Sequence, residues 1–222
     1  MNILIKYPTR GRPQLFLQTL QGWISHAAVP AELCVLVSYD ADDATMTDEV
    51  VTAAERLHPA MTAVRGGSKT KIEACNADLA VYAKPWDVVL LVSDDMFCAR
   101  DGWDDVIRDQ MSRHFPDTDG ALWFHDGRQR RGCTLECVGR KRYERFGYLY
   151  HPSYVSFWCD DESTEVGLRD GKLQFIEPGI CTHEHPSMGG SLRVDATYLQ
   201  NNPWMWKDHK TFLARKALDF PR

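Results

Sequence analysis

The chain has 222 residues, of which 44% are hydrophobic and 26% charged, a size and composition suited to one large globular domain without disulfide staples. A formal net charge of −5 removes the electrostatic reason to expect a nucleic-acid backbone or an anionic membrane as partner, although Arg128–Arg131 and Arg140–Arg142 form a local basic patch. No run approaches the ~20 apolar residues of a membrane span, and no basic-then-apolar leader opens the chain, so a cytoplasmic protein without membrane insertion is expected.

Taken in chain order, Ile3–Tyr7 reads as a short strand stopped by Pro8. Leu15, Leu17, Leu20, Trp23 and Ile24 then follow at helical spacing, with Pro13 suited to a first turn. Leu33–Ser38 is a second buried strand, and the acidic loop Asp40–Asp43 follows it. A helix over Thr47–Leu57 ends at His58-Pro59, and Thr62–Val64 reads as a third strand. Lys69–Ala83 is helical, and Asp87–Val92 is the strongest strand of the chain. Strands alternating with such helices predict crossover units and a mainly parallel sheet.

Beyond Gly102 the pattern loosens. Trp103–His114 reads as a helix, and Ala121–Phe124 and Thr134–Val138 as strands. Tyr143–Gly147, Tyr154–Trp158 and Leu173–Ile176 have no clear period, Gly179–Thr182 is a short strand, and Asp208–Ala217 is helical. Seven cysteines, at 34, 75, 98, 133, 137, 159 and 181, form an odd, scattered set without a CxxC pair. Such a set indicates reduced thiols rather than a disulfide framework. Cys133 and Cys137 lack the second pair that a zinc site needs.

In an open parallel sheet, ligands bind beyond the carboxyl ends of the strands. Two acidic clusters fall there: Asp40, Asp42 and Asp43 after the second strand, and Asp94 and Asp95 after the fourth. Carboxylates at that edge suit a hard divalent cation shared with phosphates, while Asp and Ser after strands also serve as turn and cap residues. Adjacent acids beside a buried strand repel each other unless a cation or partner stands near.

The ordered set Pro8–Pro13, Asp40–Asp43, Lys69 to Asn76 and Trp86–Asp95 resembles the GT-A nucleotide-diphospho-sugar transferases, in particular the family 2-like group. The likeness covers residues 3–105 well and continues more weakly to about residue 190. It implies an α/β fold, a Rossmann-like α/β/α sandwich with a mainly parallel mixed sheet. Residues 1–190 would form the catalytic domain, divided into a nucleotide-sugar half (1–105) and an acceptor half (106–190), with 191–222 as an extension packed on it. By the same resemblance Pro8, Thr9, Arg10, Asp40 and Asp42 would hold the base and ribose, and Lys69, Asn76 and Asp94 would lie by the nucleotide. Asp95 would bind a divalent metal, Mn²⁺ or Mg²⁺. Ser93 stands where the family's Asp-x-Asp motif has its first acid, so metal binding rests on Asp95.

Glycosyl transfer also needs an acceptor site and, for inversion, a base. Asp160–Glu162 lie where inverting members of the group carry an acidic base motif; the resemblance favours Asp161, then Glu162 and Asp160. Acids there also suit a helix N-terminus. In His183-Glu184-His185 both rings lie on one side of an extended segment, and His185 is the choice for a late metal ligand. Trp123 and Trp158 are candidate acceptor-stacking residues, although most late aromatics belong to a core. Ser187–Gly190 has the glycines of a mobile loop and equally of a turn.

The implied activity is metal-assisted, inverting transfer of a sugar from a nucleotide-diphosphate donor, UDP-sugar favoured. The acceptor (glycan, protein, small molecule or modified nucleic acid) is left open. Two alternatives keep the fold: sugar-phosphate nucleotidyl transfer and a non-catalytic sugar-nucleotide-binding module. The first expects a glycine-rich loop after the first strand, which Pro8–Pro13 lacks; the second draws support from Ser93.

Overall fold

The computed structural model describes residues 1–177 and 179–221. The elements in chain order are β1 (Ile3–Thr9), α1 (Pro13–Ser25), β2 (Leu33–Asp40), α2 (Asp48–Glu55), β3 (Met61–Gly66), α3 (Lys71–Asn76), β4 (Val88–Leu91), β5 (Met96–Cys98) and α4 (Trp103–His114). They continue with β6 (Ala121–Phe124), β7 (Glu136–Gly139), α5 (Arg140–Phe146), α6 (Cys159–Arg169), β8 (Leu173–Ile176), β9 (Cys181–His183), α7 (Ala196–Asn201) and α8 (Met205–Ala217).

Seven strands form one sheet in the order β3-β2-β1-β4-β7-β6-β8. The first four are parallel, β7 runs antiparallel to both β4 and β6, and β8 is parallel to β6. β5 and β9 form a separate antiparallel pair. Helices cover both faces of the sheet. One face packs Ile3, Ile5, Tyr7, Val35, Val88 and Leu90 against Phe16, Leu20, Trp23, Trp103 and Ile107. The other packs Leu4, Leu36, Val89 and Val138 against Ile72, Cys75, Tyr143, Cys159 and Phe212. Alternate residues of a strand face opposite sides, so a strand buried on both faces is apolar throughout, as Asp87–Val92 reads. Lys6 breaks that rule. It is fully buried in β1, donates to Ser38, and Ser38 donates onward to Asp78 Oδ2 at 2.6 Å. Burial lowers its pKa to about 8 against the pull of the Asp78 charge.

Several boundaries differ from the sequence reading, each for a local reason. β1 continues through Pro8 to Thr9, because the fixed φ of proline fits extended backbone. The helix expected over Lys69–Ala83 is only Lys71–Asn76: Thr70 caps it, and Asp78 at φ 66° turns the chain into a short 3₁₀ segment, Leu79–Val81. The stretch around Tyr143–Gly147 is the helix α5, ended by Gly147 at φ 77°. Tyr154–Trp158, which has no clear period in the sequence, forms the irregular approach to α6. β7 begins at Glu136, two residues later than expected. α7 has no counterpart in the sequence reading and is held at its start by Asp195, whose side chain accepts from the Thr197 and Tyr198 amides.

Candidate active site

The carboxyl ends of β1, β2 and β4 meet at one edge of the sheet, and Pro8, Thr9, Arg10, Asp40, Asp42 and Asp94 of the predicted donor residues stand there. Arg10, just past β1, reaches Asp40 Oδ2 at 2.7 Å and grips Asp42 through two nitrogens at 2.5 and 3.1 Å. Asp43, weighed only as part of its loop, accepts from the Gly11 amide at 2.7 Å and from Thr45, which fixes the two loops against each other. Thr9 is buried, and its Oγ1 finds no hydrogen-bond partner among the described residues.

At the end of β4, Asp94 and Asp95 are both buried but unlike in their surroundings. Burial pushes the Asp94 carboxyl up to about 7; Arg12, 4.0 Å away, only partly offsets this, and the Asp95 charge adds to it. Burial works the same way on Asp95, yet His183 and the Ser93 hydroxyl hold it well below the usual carboxylate range. The chain puts His183 here because β5 begins directly after Asp95 and pairs with β9, with Met96 opposite His183. Its Nε2 lies 3.5 Å from Asp95 Oδ1, and its Nδ1 lies 3.8 Å from Asp126 Oδ2 without a hydrogen bond. Asp126 is itself fixed by the Arg128 and Gln129 amides and by Thr134. Burial opposes the His183 charge, but Asp126 and Asp95 outweigh it and push the imidazole up to about 9.

The tail crosses this edge. Tyr198 donates to Asp95 Oδ2 at 2.9 Å, and the Arg12 guanidinium lies 4.0 Å from the centre of its ring. Asp195 holds Arg12 through two 2.7 Å hydrogen bonds. Lys71, the first residue of α3, is solvent-exposed yet surrounded by charge. Desolvation would lower its pKa, but Cys75, Cys159, Asp95 and Asp160 together raise it above the ordinary lysine range.

Not every predicted residue joins this group. His183, not His185, pairs with Asp95; His185 Nδ1 accepts from the Ser187 amide at 3.2 Å, and burial lowers its pKa to about 4. Lys69 is exposed, and its amide bonds to Glu73. Asn76 bridges the backbone of Leu149 and Tyr150 through both ends of its amide. Glu162 is gripped by Arg215 at 2.7 and 2.8 Å and by the Tyr154 hydroxyl at 2.7 Å, a tether for α8. Trp158 stacks on His209 with centroids 4.4 Å apart, and Trp123 meets Phe175 edge-on at 5.0 Å. The Asp160 charge acts on Lys71, on the buried Glu136 and on Asp161, and Asp161 also feels Glu165 and Lys216. Burial, with Asp160 and Glu165, pushes Asp161 up to about 6. Glu136, whose side chain the sequence reading passed over, sits at the cleft end of β7. It is 1% exposed, has one orphaned oxygen, and is pushed up to about 7 by burial despite Ser163 and Arg142.

Among the described residues, no three or more His, Cys, Asp or Glu side chains converge as a closed metal site. The chemistry of the donor set still fits an open one. A divalent ion on a diphosphate usually takes only one or two protein carboxylates, with phosphate and water supplying the rest. Asp95, with His183 beside it, is such a partial set.

No protein-family profile matches the chain, and no curated protein matches it. Solved structures do. A mannosyltransferase from Pyrobaculum calidifontis in complex with GDP-mannose and Mn²⁺ superposes with a TM-score of 0.63 at 18% identity, over 82% of this chain and 56% of its own. A fragment of S. aureus TarS (residues 1–349) in complex with UDP-GlcNAc gives 0.62 at 12% identity, over 90% of this chain and 64% of its own. A cytidylyltransferase from Leptospira borgpetersenii gives 0.52 at 13% identity, over 88% and 81%. The chain therefore has the GT-A, Rossmann-like fold of nucleotide-sugar transferases and spans 56–64% of the two glycosyltransferase chains.

Proposed function

We propose that the chain is a glycosyltransferase that moves a sugar from a nucleotide-diphosphate donor, UDP-sugar favoured, to an acceptor hydroxyl. The observation that carries this reading is the meeting of Arg10 with Asp40 and Asp42, of Arg12 with Asp94, and of Asp95 with His183 at the ligand-binding edge of a GT-A sheet. The Pro8–Arg10 loop with Asp40 and Asp42 lines the place for base and ribose. Arg12 and Lys71 are the cations suited to a diphosphate, Arg12 by its planar fork and Lys71 as a point charge. Asp95 and His183 would hold a divalent ion, which, when bound, supplies positive charge to the departing diphosphate. Tyr198 and Asp195, now on Asp95 and Arg12, must release both groups for a donor to use them.

On the acceptor side Asp160 is the base in this account. Its charge is among those that raise the Lys71 pKa, whereas Glu162 is tied to Arg215 and Asp161 lies beside the like charges of Asp160 and Glu165. The acceptor hydroxyl would give its proton to Asp160 as its oxygen bonds to the anomeric carbon, and the diphosphate would leave with the bonding pair. Calorimetric titration with UDP- and GDP-sugars, each with and without Mn²⁺, tests the reading. Binding of free nucleoside triphosphate with release of pyrophosphate in place of sugar transfer would favour nucleotidyl transfer, the chemistry of the cytidylyltransferase that shares the fold.

A further inference from the structure

The tail places large apolar side chains in water. Trp206 is 74% exposed, Leu199 60% and Leu213 52%, and every residue from Asn202 to Lys207 is exposed. The reason lies in how α8 docks. Its inward face is Asp208, which accepts from the amides of Val155, Ser156 and Phe157, together with Phe212 in the core and Arg215 on Glu162. Trp206, Lys210 and Leu213 are spaced i, i+4 and i+7 and therefore share the opposite face. Trp204, in the preceding 3₁₀ turn Asn202–Trp204, extends this surface, with the Lys207 ammonium 4.8 Å from its ring centre.

Charge on this stretch is the reverse of the chain's. Residues 193–222 contain six Lys and Arg and three Asp, within a total of −5. All three acids are engaged at home: Asp195 by Arg12, Asp208 by backbone amides and Asp219 by Arg169. Lys207 and Lys210 have no carboxylate partner among the described residues. The surface therefore offers indole and leucine side chains rimmed by unneutralised lysines. That is the make-up of segments that lie in a lipid interface, with Trp at headgroup depth and Lys on anionic phosphates.

We propose that the face formed by Trp204, Trp206, Lys207, Lys210 and Leu213 docks the protein on an anionic lipid surface. Docking is peripheral, without a membrane-crossing element; among the described residues no helix is long and apolar enough to span a bilayer. Leu199, 60% exposed, directly follows Tyr198, whose hydroxyl lies on Asp95, so the tail that carries this face also reaches the proposed active site. On the glycosyltransferase reading, and only on it, the acceptor would be drawn from that surface.

The test is cosedimentation of the full chain with phosphatidylcholine vesicles, with and without phosphatidylglycerol. The expected result is binding to the anionic vesicles that falls away at high salt. Lys207→Gln and Lys210→Gln should each weaken it about fivefold, and a Trp204→Ala/Trp206→Ala variant should lose it while its thermal unfolding stays unchanged. Lys71→Met, which alters the proposed donor site alone, should bind vesicles normally, so failure of the enzymatic reading leaves this result untouched. Absence of binding to both vesicle types, or undiminished binding by the double tryptophan variant, overturns the proposal. A concentration-dependent dimer in light scattering that the same variant abolishes also overturns it, because the occupant is then a second copy.

Discussion

Tyr198 donates a 2.9 Å hydrogen bond to Asp95 from a helix 103 residues further along the chain. The acid at the end of β4, the proposed ligand of a donor's ion, is thereby held by a tail residue. A hydrogen bond to a carboxylate contributes about 1.5–3 kcal/mol when buried and less where water competes. Tyr198→Phe is expected to lower stability by about 1 kcal/mol and, by removing a competitor for Asp95, to tighten Mn²⁺-dependent donor binding about fivefold. Denaturant unfolding and calorimetry read the two effects separately.

Lys71 and Lys69 stand two residues apart but differ in setting. Both are exposed, but the charges of Cys75, Cys159, Asp95 and Asp160 raise the Lys71 pKa, whereas Lys69 stands before the helix with its amide on Glu73. Turnover of Lys71→Met is expected to fall by two orders of magnitude, about 3 kcal/mol of transition-state charge stabilisation. Lys69→Met should stay within about twofold of the parent. Steady-state rates at saturating acceptor check both.

Glu162 is expected to matter for folding rather than chemistry. Glu162→Gln leaves Arg215 without its carboxylate, so stability should fall by about 2 kcal/mol, below the range for a fully buried pair because the arginine is partly solvated. Turnover per folded molecule should be preserved. A large loss of turnover with unchanged unfolding would return Glu162 to the catalytic set.

Glu136 gives a pH signature. Burial raises its folded pKa from 4.5 to about 7, so its contribution to stability is fully present below pH 4.5 and is lost as pH rises through about 7. Glu136→Gln should therefore match the parent near pH 4.5 and exceed it above pH 7 by up to about 3 kcal/mol. Denaturation series of both proteins across that range measure the difference, which should grow with pH.

The parallel half of the fold was legible because its strands are buried on both faces. Leu33–Val37 and Val88–Val92 are unbroken apolar runs, and acids just past such a run, such as Asp94 and Asp95, can be located without knowing any partner. Asp40, read as following the second strand, is the last residue of β2, and Arg10, which the family resemblance implied, stands just past β1. What escaped depends on pairing between distant segments. The sequence His183-Glu184-His185 puts two rings on one side, and only the pairing of Met96 with His183 selects the first. Lys71 rather than Lys69 depends on where α3 starts, which the Thr70 cap decides. α7 is six residues long, too short for a periodic signal, so Tyr198 could not be seen at all. Asn76 and Glu162 look available in sequence, yet each meets its structural partners only once the chain is folded.

Whether the edge beyond β1, β2 and β4 is a sugar-nucleotide site is decided by calorimetric titration of the chain and of Asp95→Ala with UDP- and GDP-sugars in the presence and absence of Mn²⁺. The parent is expected to bind at least one sugar nucleotide more tightly with the ion than without it, and Asp95→Ala to lose the effect of the ion together with transfer. Failure of the parent to bind any sugar nucleotide, with or without Mn²⁺, would contradict the proposed function, as would an Asp95→Ala variant that keeps metal-dependent turnover.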